Sequence, residues 1–568
     1  MMTHSKHSIS RKALYLCISV LLLCQWAALP LKAQPDWVKK AAKSVFTVKT
    51  FAADGSLIGS SNGFFVGTGG EAVSSFAPFR GAARAVVIDA TGKEMAVSTI
   101  LGANETYDVV KFRVAAAKTQ PLTVAQTTAA TGTALWLLPY RDTKNTPEGR
   151  VRKAETFMGE YSYYTVALTV PETAVSCPLL NQAGEVVGIA QQPAAAADTL
   201  SYAVSARFAD SLKVTGLSLN DPALKAIAIK KELPDDIQQA NLLIYLAGSQ
   251  TDSATYAGLI DDFIRKFPQA ADGYIYRAQL AAGYNRFDAA DRDMQQAMKT
   301  GSSKENTLFN YARLIYQKDI YQSDKPYEPW TLDKALTLID EAIAATPVPT
   351  YRQLKANILF AQKNYGEACS LFQALAATNL DRAEMWYAAA RCREMQKDTA
   401  AWTALLDSTM STFSKPYLKQ AAPYLMARAN AKMDCRKYRE ALSDLNDYEQ
   451  LMAAQLTAQF YYIRSQAAVG GRLYQQALND LTRAVEMAPK EVLYYAEKAS
   501  LQVRVGQYDQ AVATAEACIG VDPASSDGYL FKGLALCLQK KTKEGIACLE
   551  KARDLGNPQA EGLIKKYQ

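Results

Sequence analysis

The chain has 568 residues, with 63 Lys and Arg against 56 Asp and Glu, a formal charge of +7 and only two histidines. A charge this close to balance supplies no electrostatic footprint for a nucleic acid. Both histidines, His4 and His7, fall in the first ten residues. Imidazole chemistry, whether a proton relay or a zinc site, therefore has no side chain to use anywhere beyond that point.

The N-terminus has the pattern of a cleaved leader. Lys6, Arg11 and Lys12 form a positive region, Leu14 to Leu29 a largely apolar one, and Leu31-Lys32-Ala33 ends on the small residue that a signal peptidase needs. Residues 1–33 are predicted to be a signal peptide; the apolar run is short for a membrane span, and Leu23 before Cys24 is too large for a lipoprotein signal. The expectation is an exported protein, periplasmic in the first instance, with secretion or cell-surface display as other destinations. Loss of the leader removes Cys17 and Cys24 and leaves seven of the nine cysteines, an odd number, so at least one is free or pairs between chains.

Residues 36–215 are predicted to be all-β. Short β-rich runs at Ser44–Phe51, Arg84–Ala90, Asp108–Val114, Ala134–Tyr140, Tyr163–Val170 and Glu185–Gln191 are separated by turns rich in Gly, Asn, Asp and Ala. In the first run Val45, Thr47 and Lys49 alternate with Phe46, Val48 and Thr50, which puts the two sets on opposite faces. Short strands at such spacing point to a barrel or sandwich. Residues 216–234, with a helical Pro222 to Lys231 stretch and Pro234, form the predicted linker.

From residue 235 to 568 the periodicity becomes helical and repeats. A small residue recurs at Ala278, Ala312, Ala356, Ala390, Ala429, Ser465, Ala499 and Gly533, and a second series follows at Ala290, Ala335, Ala368, Trp402, Ala441, Ala477, Ala511 and Gly545. In seven of the eight units the two series stand 12 residues apart; in the second unit they stand 23 apart, which calls for an inserted loop within Tyr316–Trp330. Twelve residues let one helix end, turn and bring a second alongside it, and two helices approach closely only where both carry small side chains. A degenerate unit is expected ahead of the first, around Ile237 to Pro268, and Asn557 to Gln568 suits a solvating cap.

This half resembles a tetratricopeptide-repeat array, most closely over Thr457 to Leu555, where Tyr461, Ser465, Ala477, Leu481, Ala484 and Pro489 are followed by Tyr495, Ala499, Ala511, Ala515 and Pro523. Trp402 departs from the pattern. The resemblance implies a groove lined by the first helices, and the residue after each first-helix small residue is a candidate to point into it: Gln279, Arg313, Asn357, Arg391, Asn430 and Gln466, then Ser500 and Leu534. The first six can donate hydrogen bonds to the backbone of an extended protein or peptide ligand. Four residues earlier stand Ile275, Phe309, Gln353, Tyr387, Met426, Tyr462, Ala496 and Leu530, a mostly apolar companion series.

The β-rich half resembles trypsin-like serine peptidases of the high-temperature-requirement type. The residues that carry the resemblance are Asn62-Gly63-Phe64-Phe65, Tyr107-Asp108-Val109-Val110, Pro178-Leu179-Leu180-Asn181 with Gly184-Glu185-Val186-Val187-Gly188-Ile189, and Ser201-Tyr202-Ala203-Val204, the strand before that family's last helix. Aligned on these anchors, the family's catalytic acid falls on Asp108, its general base on Ala77 and its nucleophile on Val175. The oxyanion-hole glycine falls on Thr173. Ala77 cannot take a proton and Val175 has no hydroxyl. A shifted register makes Ser176 a nucleophile for an active peptidase of unconventional site, the competing reading. The resemblance thus implies a trypsin-like double barrel with a degenerate triad, followed by a tetratricopeptide-repeat solenoid: an exported protein-binding or scaffolding protein rather than an enzyme.

Cys177, beside these positions, is either a reactive thiol or a small buried hydrophobe. The other six cysteines lie in the repeats with no C-x-x-C pair, so no metal and no cofactor is expected; Cys369 and Cys392 on neighbouring units either face each other as a disulfide or pack separately.

Overall fold

The computed structural model describes residues 35–192, 199–301 and 303–568, so the predicted leader lies outside it. The chain divides into two compact units at Gly273/Tyr274. Among the described residues no helix is long and apolar enough to cross a membrane.

Twelve strands in the first unit make two closed antiparallel barrels. Strands β1 (Val45–Phe51), β2 (Leu57–Phe65), β3 (Glu71–Ser74), β4 (Arg84–Ile88), β5 (Glu94–Asn104) and β6 (Val109–Val114) close in the order β1-β2-β3-β6-β5-β4. Strands β7 (Ala134–Leu137), β8 (Glu148–Phe157), β9 (Tyr161–Ala167), β10 (Pro178–Leu180), β11 (Val186–Gln191) and β12 (Ser201–Ser205) close in the order β10-β11-β12-β9-β8-β7. In β1 the alternation holds: Phe46, Val48 and Thr50 are buried while Lys49 is exposed. Phe46 packs against Phe65 and Phe112, with ring centroids 4.8 and 6.1 Å apart. Each such ring, fully buried, contributes on the order of 2–3 kcal/mol. Tyr107, just before β6, stacks on Phe157 at 4.1 Å and meets Phe208 edge-on at 5.3 Å, tying the first barrel to the second. The β10–β11 turn ends at Gly184, with φ of 80°; a Cβ there would sit 2.7 Å from the Trp37 ring, and Trp37 also donates to the Gln182 carbonyl.

Two expectations are corrected after β12. The helix expected there is a 3-10 segment, Ala206–Asp210. The helical stretch expected over Pro222–Lys231 ends at Lys225; beyond it the backbone is irregular and reaches a single parallel bridge between Lys231 and Ile100, because the first barrel offers it partners. Ile100 N–H donates to the Lys230 carbonyl at 2.8 Å, Glu232 N–H to the Ile100 carbonyl at 2.9 Å, and the Arg113 guanidinium holds the Glu232 carboxylate at 2.8 and 3.0 Å. Residues within 216–234 are in this way stitched to β5 and β6. The helices Ile237–Gln250 and Ser253–Lys266, capped by Asp236 and Asp252, form the hairpin expected around Ile237–Pro268, and they fall within the first unit.

In the second unit, helices alternate as hairpins from Ala271–Gly283 paired with Phe287–Thr300 to Ser526–Leu538 paired with Thr542–Asp554, closed by Ala560–Tyr567. The small residues sit where the helices meet: Ala278, Ala290, Ala429, Ala441, Ala499 and Ala511 are fully buried. At the last hairpin a Cβ on Gly533 would lie 2.8 Å from the Gly545 carbonyl oxygen, and one on Gly545 would lie 2.8 Å from that of Gly533. In the second unit of the repeat series the helix Lys304–Tyr321 runs through the first part of the expected loop, and Trp330 then anchors the remainder by donating to the buried Asp291 at 2.6 Å. Trp402 stands on the regular helix Thr399–Met410, buried among Leu405, Leu406 and Phe372.

A feature that periodicity does not reveal joins three hairpins internally. Arg277, Arg428 and Arg464 each grip an aspartate 16 residues on, Asp293, Asp444 and Asp480, through two nitrogens at 2.6 to 3.1 Å. Arg464 and Asp480 are both buried. Removing one partner of such a pair strands the other's charge, at a cost of about 3–5 kcal/mol. Urea denaturation of Arg464→Met is expected to show a loss of about that size, with most of it regained in the double variant that also carries Asp480→Leu.

Candidate functional site

In the first barrel the three triad-equivalent positions meet different fates. Asp108 follows the end of β5, with φ of 49°. Its Oδ1 accepts the Ala77 N–H at 2.7 Å and its Oδ2 accepts the Ser75 hydroxyl. The Phe76 N–H donates to the Asp108 carbonyl at 3.3 Å. The carboxylate therefore fastens the short 3-10 turn Ala77–Phe79 to the barrel, and Ala77 presents a methyl group at an exposed position.

Val175 follows the 3-10 turn Glu172–Ala174. Its N–H donates to the Glu172 carbonyl at 3.3 Å, and the Ser176 N–H to the Ala190 carbonyl at 2.8 Å. In an acyl-transfer site, the N–H at the nucleophile's position must be free to meet an oxyanion; here it is bonded within the chain. The nearly buried Asn62 on β2 reinforces the turn, donating through Nδ2 to the carbonyls of Thr173 at 2.9 Å and Val175 at 3.2 Å. Asn62 is a positioning residue that motif matching alone leaves without a role.

Ser176 has φ of 64° and is 3% exposed. Cys177 is fully buried in the second barrel's core, and burial pushes its thiol up to about 12, so the reactive-thiol alternative gives way to the packed hydrophobe. All seven described cysteines are free thiols; Cys369 and Cys392 lie in one apolar cluster without a bond between them. Among the described residues, no group of three His, Cys, Asp or Glu is placed to hold a metal ion.

The repeat ladder is brought together in part. Gln279 and Arg313 line one cleft of about 450 Å³ with Gln317 and Tyr321. Gln466 lines a second, of about 470 Å³, with Ser500, Glu497 and Arg504. Asn357, Arg391 and Asn430 lie outside both clefts; Asn357 is half-buried, Arg391 and Asn430 exposed, and the Arg391 guanidinium lies over the Phe360 ring at 5.3 Å. The apolar companion series needs correction. Ile275, Ala496 and Leu530 are buried and unable to touch a ligand, since their helices are packed on that side. Phe309, Tyr387 and Tyr462 remain accessible and pair with aromatic residues that the spacing missed: Tyr351 at 4.8 Å, Tyr424 at 5.1 Å and Tyr494 at 5.4 Å. An aromatic residue on the neighbouring unit's first helix, 32 to 42 positions on, is the signal that would have found them.

No family model matches the chain. Over 102 residues it is 32% identical to the small glutamine-rich tetratricopeptide repeat-containing protein 2 of Saccharomyces cerevisiae, a match covering 18% of this chain and 30% of that protein. Over 96 residues it is 30% identical to the protein SGT1 homolog of Bos taurus, covering 16% and 28%. The chain thus spans less than a third of the curated relatives it matches. Among solved structures, the active form of the Rv3671c protease from M. tuberculosis overlaps 36% of this chain and 89% of its own, at 18% identity and a TM-score of 0.28. The serine endoprotease from Yersinia pestis overlaps 31% and 62%, at 15% identity and a TM-score of 0.27. By its two closed barrels the first unit has the trypsin-like double-barrel fold, and by its hairpins and sequence relatives the second carries tetratricopeptide-type repeats.

Two outcomes follow for the barrel. Asp108→Ala removes the acceptor of two hydrogen bonds and is expected to lower stability by about 1–3 kcal/mol in urea denaturation. Native protein treated with iodoacetamide at pH 8 is expected to leave Cys177 unalkylated, and to expose it to alkylation only after unfolding, as peptide mapping would read.

Proposed function

We propose that this chain is an exported, non-catalytic scaffold that holds a protein or peptide ligand on its repeats, with a barrel domain derived from a peptidase but without peptidase chemistry. The observation that carries this reading is the pair of residues at the base and nucleophile positions: Ala77 can take no proton and Val175 has no hydroxyl. Asp108, at the acid's position, accepts the Ala77 N–H and the Ser75 hydroxyl and holds a turn, with no imidazole beyond His7 to orient.

The competing reading makes Ser176 the nucleophile of an active peptidase. Against it stand the burial of Ser176, the bonded Val175 N–H and the lack of any histidine beyond His7. The binding half of the proposal draws on the polar clefts around Gln279, Arg313 and Gln466 and on the partly exposed rings of Phe309 and Tyr462 beside them. The export half draws on the N-terminal sequence pattern alone.

A combined substitution tests the binding half. Gln279→Ala and Gln466→Ala together are expected to weaken binding of an unfolded polypeptide such as reduced casein by tenfold or more, in fluorescence anisotropy, with no change in Tm. Undiminished binding would remove the ladder from the account. Labelling by a serine-reactive fluorophosphonate that disappears in Ser176→Ala would favour the competing reading.

A further inference from the structure

Two cavities in the first unit share one wall. The larger, about 460 Å³, lies between the barrel-bound segment 214–233 and the hairpin 237–266, and its lining is largely aliphatic, with Leu224, Ile229, Leu233, Leu243 and Leu259. The smaller, about 290 Å³, adjoins it: Lys230, Lys231, Glu232, Leu233 and Asp262 line both, and Arg265 and Lys266 continue the rim. Small-molecule sites have this volume and this make-up, apolar walls with a few polar groups gathered at one end.

The charges on and around the shared wall are paired, with one exception. Glu232 is held by Arg113, Asp262 by Lys230 and Arg265, and Lys266 is paired with Asp235 at 2.6 Å. Lys231 is different. It is half-buried, its ammonium donates to the Ile227 carbonyl, and it has no ion-pair partner among the described residues. Burial, with no carboxylate to offset it, lowers its pKa. An ammonium held away from water without a counterion is costly, and an anion brought by a ligand would relieve that cost. On the opposite wall Gly258 faces open space: a Cβ there meets nothing within 4 Å.

We propose that this junction binds a single-chain anionic amphiphile, with the hydrocarbon tail in the aliphatic cavity and the carboxylate or phosphate on Lys231. The larger cavity is near the small end of the range for such sites, which suits one chain rather than two. The site is independent of the function proposed for the repeats.

The test is isothermal titration of the delipidated full chain, below the critical micelle concentration, with palmitate, with a lysophosphatidylglycerol and with an uncharged monoacylglycerol of equal chain length. Saturable one-to-one binding of at least one of the two anions is expected, tenfold or more tighter than the glyceride. Palmitate alone would identify a fatty acid as the ligand, and the lysolipid alone a phospholipid source. Gly258→Leu is expected to weaken binding at least tenfold with Tm unchanged. Lys231→Met should bring the anions to the level of the glyceride, while Lys231→Arg retains the preference. The proposal is overturned if neither anion binds saturably, if anions and glyceride bind equally, or if Gly258→Leu leaves binding intact in a folded protein.

Discussion

Both oxygens of the Asp108 carboxylate are engaged by donors of the barrel that carries it, and the rest of this account hangs on that. A carboxylate at the edge of a barrel needs hydrogen bonds from somewhere. In a peptidase with a triad, a histidine supplies one of them and is oriented in return. Here position 77 offers only its N–H, which with the Ser75 hydroxyl binds the carboxylate, so the aspartate holds a turn in position. Asn62 does the same for the turn before Ser176, by donating to the carbonyls of Thr173 and Val175. The two turns at the triad-equivalent positions are each closed on the chain itself.

On the proposed reading the barrel has a supporting role and the repeats carry the binding surface. Their architecture follows from a simple steric rule. Where Ala meets Ala, or Gly533 meets Gly545, two helices approach closely; the large residues beyond then fill the next layer. Arg277, Arg428 and Arg464, each gripping an aspartate on the paired helix, add a polar lock inside three hairpins. The clefts at Gln279 and Arg313 and at Gln466 open between neighbouring first helices, with aromatic pairs beside them. Polar donors beside aromatic faces are what a backbone-reading groove requires.

Much of this was legible in the sequence, for physical reasons. The 12-residue spacing of small residues locates the hairpins because close approach tolerates little else, and the alternation in Val45–Thr50 marks β1 because its two faces meet different solvents. Alternation does not show strands β2, β3, β5, β8, β10 and β12, the last of which is marked only by the resemblance. In β2 and β5, Gly59, Gly63, Ser60, Ser61, Ala96 and Ser98 blur the contrast between faces; β3 and β10, at four and three residues, are too short to show a period. The end of the helix at Lys225 leaves no local mark, because the partner of the segment beyond it, Ile100, lies over a hundred residues earlier. The triad positions came from resemblance, but the bonds that occupy Asp108 and the N–H of Val175 needed coordinates. So did the division of the ladder, since Asn357, Arg391 and Asn430 share the register of Gln279 and Gln466 without sharing a cleft.

The central claim is that the chain holds polypeptide without cutting it, and native mass spectrometry of an equimolar mixture with an unfolded polypeptide, followed over hours, tests it most directly. The account predicts a complex whose mass is the sum of two intact chains throughout. Accumulating fragments, or a covalent acyl adduct mapped to Ser176, would contradict it.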